Sequence, residues 1–326
     1  MLARLAGSWW TRLAVTAAIL AWLATRIDMA AAARAVVSVS RLHLLAVLAL
    51  VAVDRAVMVW RWILLLRARG VAVAPAQAVR VFLVSSFVGS FLPAGIGGDA
   101  ARAWSLAQIT TRGGEALASV MVDRLLGVLS LAALGVAGLV AWAPSGGGAG
   151  RIVLAVAVLS TACVAAFWAD AVIRAVVPDE RHSGAVTRRL LRVADAMAGY
   201  RGHRGTLAVV MAWSIVVQVL RITQAYLLGV GLGLTVPFGY YLLFMPLGLL
   251  ALLLPVSVSG FGVPQGVIVW LLRPQGVAEP LAFALSTLIV LTGLAGNLPG
   301  LWLYLTGRRR PGTAPPVALG GRPETQ

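Results

Sequence analysis

The sequence predicts an all-α polytopic membrane helix bundle, and three observations carry that prediction. The 326 residues are 60% hydrophobic and only 12% charged, with a mean hydropathy of +0.92. Soluble domains are about 45–50% apolar and about 25% charged. Apolar stretches of about 20 residues, the length that crosses a hydrocarbon core of about 30 Å, recur from end to end. The period-2 alternation that a membrane β-barrel needs is missing.

Taken in order, the first apolar stretch covers residues 10–26. Its basic flanks and short core resemble a secretory signal peptide, but it reads as an uncleaved first span because the rest of the chain is equally apolar. The second span is 42–66. A segment at 75–92 then breaks at FLPAGIGGDAAR, residues 91–102. Spans at 116–142, 151–169 and 206–232 follow. A second broken region comes next, 238–255 and then 264–272, and the last span is 281–306. Residues 1–306 therefore form one transmembrane domain. The polar, Pro/Gly-rich tail 307–326 is expected to be disordered.

The net charge is +16, and all 27 basic residues are Arg. With no Lys, Schiff-base chemistry is excluded. The charges lie between apolar spans, which points to anionic lipid headgroups and membrane topology rather than to nucleic acid. Loop 170–205 carries Arg174, Arg181, Arg188, Arg189, Arg192, Arg201 and Arg204, and Arg308, Arg309 and Arg310 follow the last span. The turns at 143–150 and 233–239 carry no charge. The Arg-rich loop and both termini are therefore expected on the cytoplasmic side. Residues 185–200, AVTRRLLRVADAMAGY, read either as an amphipathic surface helix or as a solvated linker. Cys163 is the only cysteine, and His43, His182 and His203 are scattered. No metal site and no cofactor are expected.

The two broken regions share one grammar. LLLPVSVSGFGVPQG, residues 252–266, repeats the pattern of FLPAGIGGDAAR: apolar approach, Leu-Pro, Gly-rich irregular backbone, helix restart. Pro93 and Pro255 are the aligned breaks. The first run lies between cytoplasmic flanks and the second between external flanks, so both read as re-entrant hairpins inserted from opposite faces. Unpaired backbone groups cost several kcal/mol each in lipid, so irregular backbone survives only where protein buries it or a wet cavity touches it. Paired interruptions at matching positions of two halves point to a transporter site. The backbone N–H groups near Gly97, Gly98, Gly260 and Gly262 are aimed at an anion. Two independent packing kinks are the plainer alternative.

Charged residues inside the apolar spans are the remaining candidates, because each costs about 2.5–3.5 kcal/mol at the bilayer centre on insertion scales. Asp99 and Arg102 share a helical face if the helix restarts at Gly98. Arg102 then suits bidentate binding of a lipid phosphate. Asp123 and Arg124 are adjacent, so they face different directions and are expected to pair elsewhere, with Arg102 or Asp99, or to act as flank charges. Arg61 lies near a span end and is expected to snorkel toward water. Asp54 and Arg55 lie deeper. Arg221 shares an inward face with Gln218 and Gln224, lining a cavity or forming a structural hydrogen-bond network. No GxSxG, HExxH, Walker A or CxxC pattern occurs, so no soluble catalytic module is visible.

LPAGIGGDAARAWSL, then VMVDRLLGVLSL about twenty residues on, then LPVSVSGFGVPQGVIVWLL, resemble the transmembrane region of the lysylphosphatidylglycerol synthase/flippase family, also called the flippase-like domain family. The resemblance covers about residues 10–306. It implies a bundle with two opposed re-entrant helix pairs and a lipid pathway near the bilayer centre, in a bacterial inner membrane. The family's Gly, acid and Arg of the first break match Gly98, Asp99 and Arg102. Its acid-Arg pair matches Asp123 and Arg124. Its Gly-x-Gly-Val matches Gly260, Gly262 and Val263, but Gln265 stands where the family usually has Glu, which removes a charge from the implied site. The soluble aminoacyl-transferase domain of the synthases has no counterpart in this sequence.

The resemblance thus implies a lipid translocase that moves or binds an anionic phospholipid, glycolipid or isoprenoid-lipid headgroup. Arg102, Asp99, Gly97, Gly98, Gly260, Gly262 and Gln265 would form its binding site, with Asp123, Arg124 and Arg221 as the supporting polar shell. Membrane lipids are the expected partners. The alternative is a membrane subunit of a headgroup-modifying or glycolipid-assembling enzyme, with loop 170–205 docking a cytoplasmic transferase.

Overall fold

The computed structural model describes residue 25 and residues 27–91, 97–110, 112–141, 193–251 and 262–307. Among the described residues every regular element is helical. The helices are α1 (Met29–Ser38), α2 (Arg41–Ala68), α3 (Pro75–Phe91), α4 (Gly97–Ile109), α5 (Gly113–Ala141), α6 (Arg204–Gly231), α7 (Phe238–Ala251), α8 (Val263–Leu272), α9 (Glu279–Ala295) and α10 (Leu298–Gly307). The expected spans 10–26 and 151–169, and the tail 307–326, lie outside the described residues apart from Thr25 and Gly307.

Four segments are long and apolar enough to cross a membrane: Arg41–Ala68, Gly113–Leu139, Arg204–Gly231 and Glu279–Thr306. They match four of the expected spans. The last is not one rod, however. It breaks at Gly296–Asn297 into α9 and α10. At the break Asn297 donates its side-chain amide across to Ser90 Oγ on α3 at 2.7 Å. Pro299 then sits in the first turn of the restarted helix, where its missing N–H costs nothing.

α2, α5 and α6 form the frame. At one end of the frame Arg69, the C-cap of α2, forks onto both carboxylate oxygens of Glu115 at the start of α5, at 3.0 and 2.8 Å. Arg69 also lies over the ring of Tyr200 at 5.6 Å. The Tyr200 hydroxyl donates to Leu65 O at 3.1 Å, fixing the approach to α6. The Glu115 hydrogen bonds raise the pKa of Arg69, and burial raises that of Tyr200. At the opposite end Gly231 of α6 packs against Val39, which ends α1, and His43 in the first turn of α2.

Two short helix pairs fill the frame. The arms of the first, α3 and α4, have 17 and 13 residues. Those of the second, α7 and α8, have 14 and 10. At 1.5 Å per residue each arm is at most about 26 Å long, short of a full crossing. Each pair is antiparallel. In the first, Ser85 and Gly89 oppose Gly98, and Phe82 opposes Arg102. In the second, the Tyr240 hydroxyl donates to Leu271 O, and Gly248 opposes Ile268. The first hairpin opens beside Arg69 and Glu115. The second opens beside the far end of the frame, where Gly138 of α5 touches the Leu242 backbone of α7. The two hairpins therefore enter from opposite ends of the bundle, as the sequence predicts.

Glycine makes the first hairpin possible. A Cβ on Gly89 would overlap the Gly98 Cα, and a Cβ on Gly98 would lie 3.1 Å from Ser85 O. Only two residues without side chains allow the arms to touch this closely.

Candidate functional site

Three of the four hairpin arms (α3, α4 and α7), with α2, α5, α6, α9 and its elbow to α10, line a cavity of about 440 Å³. Its described lining gathers nearly every charge that the sequence puts in the apolar spans: Asp54, Arg55, Arg61, Asp99, Arg102, Asp123, Arg124 and Arg221. Gln218 and Gln224 face it from α6, one turn either side of Arg221. Asp54 and Arg55 lie at the midpoint of α2, so the cavity sits halfway along the bundle.

Five of these charges form a continuous chain. Arg61 Nε lies 2.8 Å from Asp123 Oδ1, and Asp123 Oδ2 lies 3.3 Å from Arg102 Nη2. The same Nη2 reaches Asp99 Oδ1 at 2.9 Å, and Asp99 Oδ2 lies 3.1 Å from Arg124 Nη1. The i,i+3 spacing of Asp99 and Arg102 puts them on one face of α4, and Asp99 in its first turn complements the helix dipole. A second group completes the lining. Arg221 Nε donates to Asp54 Oδ1 at 3.2 Å, and Arg55 Nη1 lies 3.9 Å from Asp54 Oδ2. Each group has one more guanidinium than carboxylate.

Five Arg against three Asp leaves an excess of two positive charges around this cavity, among the described residues. Ionic groups in low dielectric persist only when paired and hydrogen-bonded. The innermost members meet that condition. Asp123, Arg61 and Arg102 are at most 4% exposed. Arg61 also donates to Ser214 Oγ at 2.8 Å, and Gly127 leaves room beside its guanidinium. Arg102 is held between the rings of Trp62 and Phe82, at 5.2 and 5.0 Å. The outer members differ: the side chains of Arg221 and Arg124 are 28% and 37% exposed. Arg221 Nη2 rests on the thioether of Met58, a weak acceptor.

The model of one protein family, described as the lysylphosphatidylglycerol synthase TM region, matches residues 9–300. The chain belongs to this family. No curated protein matches it. The match spans three of the four membrane-length segments, most of the fourth and both hairpins, and the described cavity lining, Val51 to Asn297, lies wholly within it.

In this family member the residues singled out in the sequence separate into two sets. Asp99, Arg102, Asp123, Arg124, Arg221, Gln218 and Gln224 come together at the cavity, as does Gly98. The pairing expected of Asp123 and Arg124 is observed, with Arg102 and Asp99 respectively. Gly97 starts α4 but does not line the cavity. Gly262 and Gln265 are also elsewhere. Gly262 has φ +99°, a conformation that favours glycine, and its N–H donates to Gln265 Oε1 at 2.6 Å. Gln265 thus caps the first turn of α8. Pro93, Pro255 and Gly260 lie outside the described residues, as does most of loop 170–205. Its described part is helical at 193–199.

Arg61 departs from expectation. It does not snorkel to water but is buried against Asp123 and Ser214. Sequence reasoning also missed Ser85, Ser86, Ser90 and Asn297, which line the same cavity. The three serines donate to carbonyls of their own helix, so no local pattern marks them. Asn297 did carry a signal, a Gly-Asn-Leu-Pro-Gly run inside a span read as continuous.

Proposed function

We propose that the chain is a lipid translocase that takes the anionic headgroup of a phospholipid, glycolipid or isoprenoid lipid into this cavity. One observation carries the reading: an excess of two guanidinium groups at mid-depth of an apolar bundle, where opposed hairpins converge. An anion of matching charge removes the cost of that excess, and a lipid supplies it in place of water. Arg221 and Arg124, the more exposed cations, are the headgroup ligands. Arg102 holds Asp99 and Asp123 in place and keeps the field positive. Asp99 and Asp123 stop the arginines from collapsing onto the headgroup too tightly for release.

The family supports a role in lipid handling, and the opposed hairpins support access from both faces. We assign the end bearing Arg67, Arg69, Arg112, Arg201 and Arg204 to the cytoplasmic side of a bacterial inner membrane. It carries five Arg against Glu115 and Asp195, whereas the far end carries Arg34 and Arg41 against Asp28, with the pair Arg273–Glu279.

The test is transfer of fluorescent lipids in reconstituted vesicles. The protein should speed quenching of inner-leaflet phosphatidylglycerol more than of phosphatidylcholine. Arg221→Gln should slow it at least tenfold while the protein stays folded. Equal transfer of both lipids, or an unaffected Arg221→Gln variant, contradicts the reading.

A further inference from the structure

A second concavity, about 600 Å³, adjoins the polar cavity. α2 lines it with Leu48, Ala52, Ala56, Val59, Trp60 and Ile63, α3 with Val79 and Leu83, and the α9–α10 elbow with Ala295, Gly296 and Pro299. Every described lining residue is apolar but one. That one is Arg55, and with Val51 it lines both spaces.

We infer that this groove holds a hydrocarbon tail of the same lipid whose headgroup enters the polar cavity, with Arg55 at the junction. The inference rests on the translocase reading and adds a subsite to it. The occupant follows from continuity: a molecule reaching through both spaces must be charged at one end and apolar at the other. Length agrees. From Leu48 to Ile63 the groove runs about 22 Å along α2, with Arg55 near its centre, so a tail can lie about 10–12 Å toward either face of the membrane. A half-bilayer of hydrocarbon is about 15 Å thick.

Arg55 is equipped for the junction. Its Nη2 donates to Gly293 O at 3.3 Å, just before the elbow. Its Nε is buried and has no partner among the described residues. The elbow itself leaves no slack, because a Cβ on Gly296 would overlap Val51 Cγ1 and lie 3.2 Å from Arg55 Nε. The helix break therefore brings the α9 backbone against Arg55 and leaves the groove open beside it. A continuous last span would lack both features.

The test compares lipid retained by protein purified in a delipidating detergent, read by native mass spectrometry. Ala56→Phe fills the groove from an exposed helical position. Val53→Phe adds the same ring to an exposed α2 residue outside the groove and is the control. Arg221→Gln reports on the headgroup. The expected result is one tightly held lipid in the wild type and in Val53→Phe, and at least a fivefold loss in Ala56→Phe. Binding of glycerol 3-phosphate, which has no tail, should be equal in the wild type and Ala56→Phe. Full lipid retention in Ala56→Phe overturns the tail groove, even where Arg221→Gln loses its lipid. Retention in both variants overturns the headgroup reading too, as does a wild type that holds no lipid.

Discussion

Arg61 Nε and Asp123 Oδ1 meet at 2.8 Å, and each side chain is less than one-twentieth exposed. The pair anchors the inner end of the charge chain, joining α2 to α5, and Asp123 carries it on to Arg102 on α4. Each of these buried arginines leans on the same carboxylate. Replacing Asp123 by Asn leaves both guanidinium groups partly uncompensated in low dielectric. Breaking a buried pair by removing one partner costs about 3–5 kcal/mol. Asp123→Asn should therefore lower the melting temperature in detergent more than Asp99→Asn, whose carboxylate is 21% exposed. A thermal-shift series on the two variants checks the order.

The Gly89–Gly98 contact makes a separate prediction. A side chain at Gly89 meets backbone, not a movable side-chain tip. Gly89→Val should cost more than the about 1–3 kcal/mol of ordinary overpacking. The expected outcome is loss of the monodisperse peak in size-exclusion chromatography. Gly205→Val, where nothing lies within 4 Å of the added Cβ, should keep it.

Much of this was legible in the sequence. The i,i+3 spacing of Asp99 and Arg102, the inward face of Gln218, Arg221 and Gln224, and the two Leu-Pro-Gly interruptions all rest on local periodicity. The structure keeps the first two, and the interruptions themselves, with Pro93 and Pro255, lie outside the described residues. Asp54 was visible as a deep charge but its partner was not, because Arg221 lies 167 positions away. Arg61 misled for a related reason: a cation near a helix end has a solvated solution available, and only the packing of α5 and α6 against α2 removes it. Gln265 shows the converse. Motif position made it a ligand candidate, and the structure shows its side-chain oxygen accepting the Gly262 N–H at the start of α8.

Topology supplies a prediction independent of lipid. The hairpins open at opposite ends of the bundle; Arg67, in the last turn of α2, lies at one end and Arg273, just past α8, at the other. In a Cys163→Ala background, Arg67→Cys should react with a membrane-impermeant maleimide only in inverted membrane vesicles. Arg273→Cys should react only in intact, right-side-out spheroplasts. Labelling of both from one side would refute opposed hairpins.

Coupling across the second charge group can be measured directly. Asp54→Asn and Arg221→Gln remove partners that meet at 3.2 Å. Residues in one ion-pair network show interaction energies of about 0.5–3 kcal/mol. The double variant should be less destabilised than the sum of the single ones, by an amount in that range, in a denaturation cycle.

The central claim is that the cavity selects an anionic headgroup, and the lipids that survive purification test it most directly. Their headgroups, identified by mass spectrometry, should be enriched in one anionic class relative to the host membrane, and the enrichment should disappear in folded Arg221→Gln. Retained lipids that mirror the bulk membrane in both proteins would contradict the account.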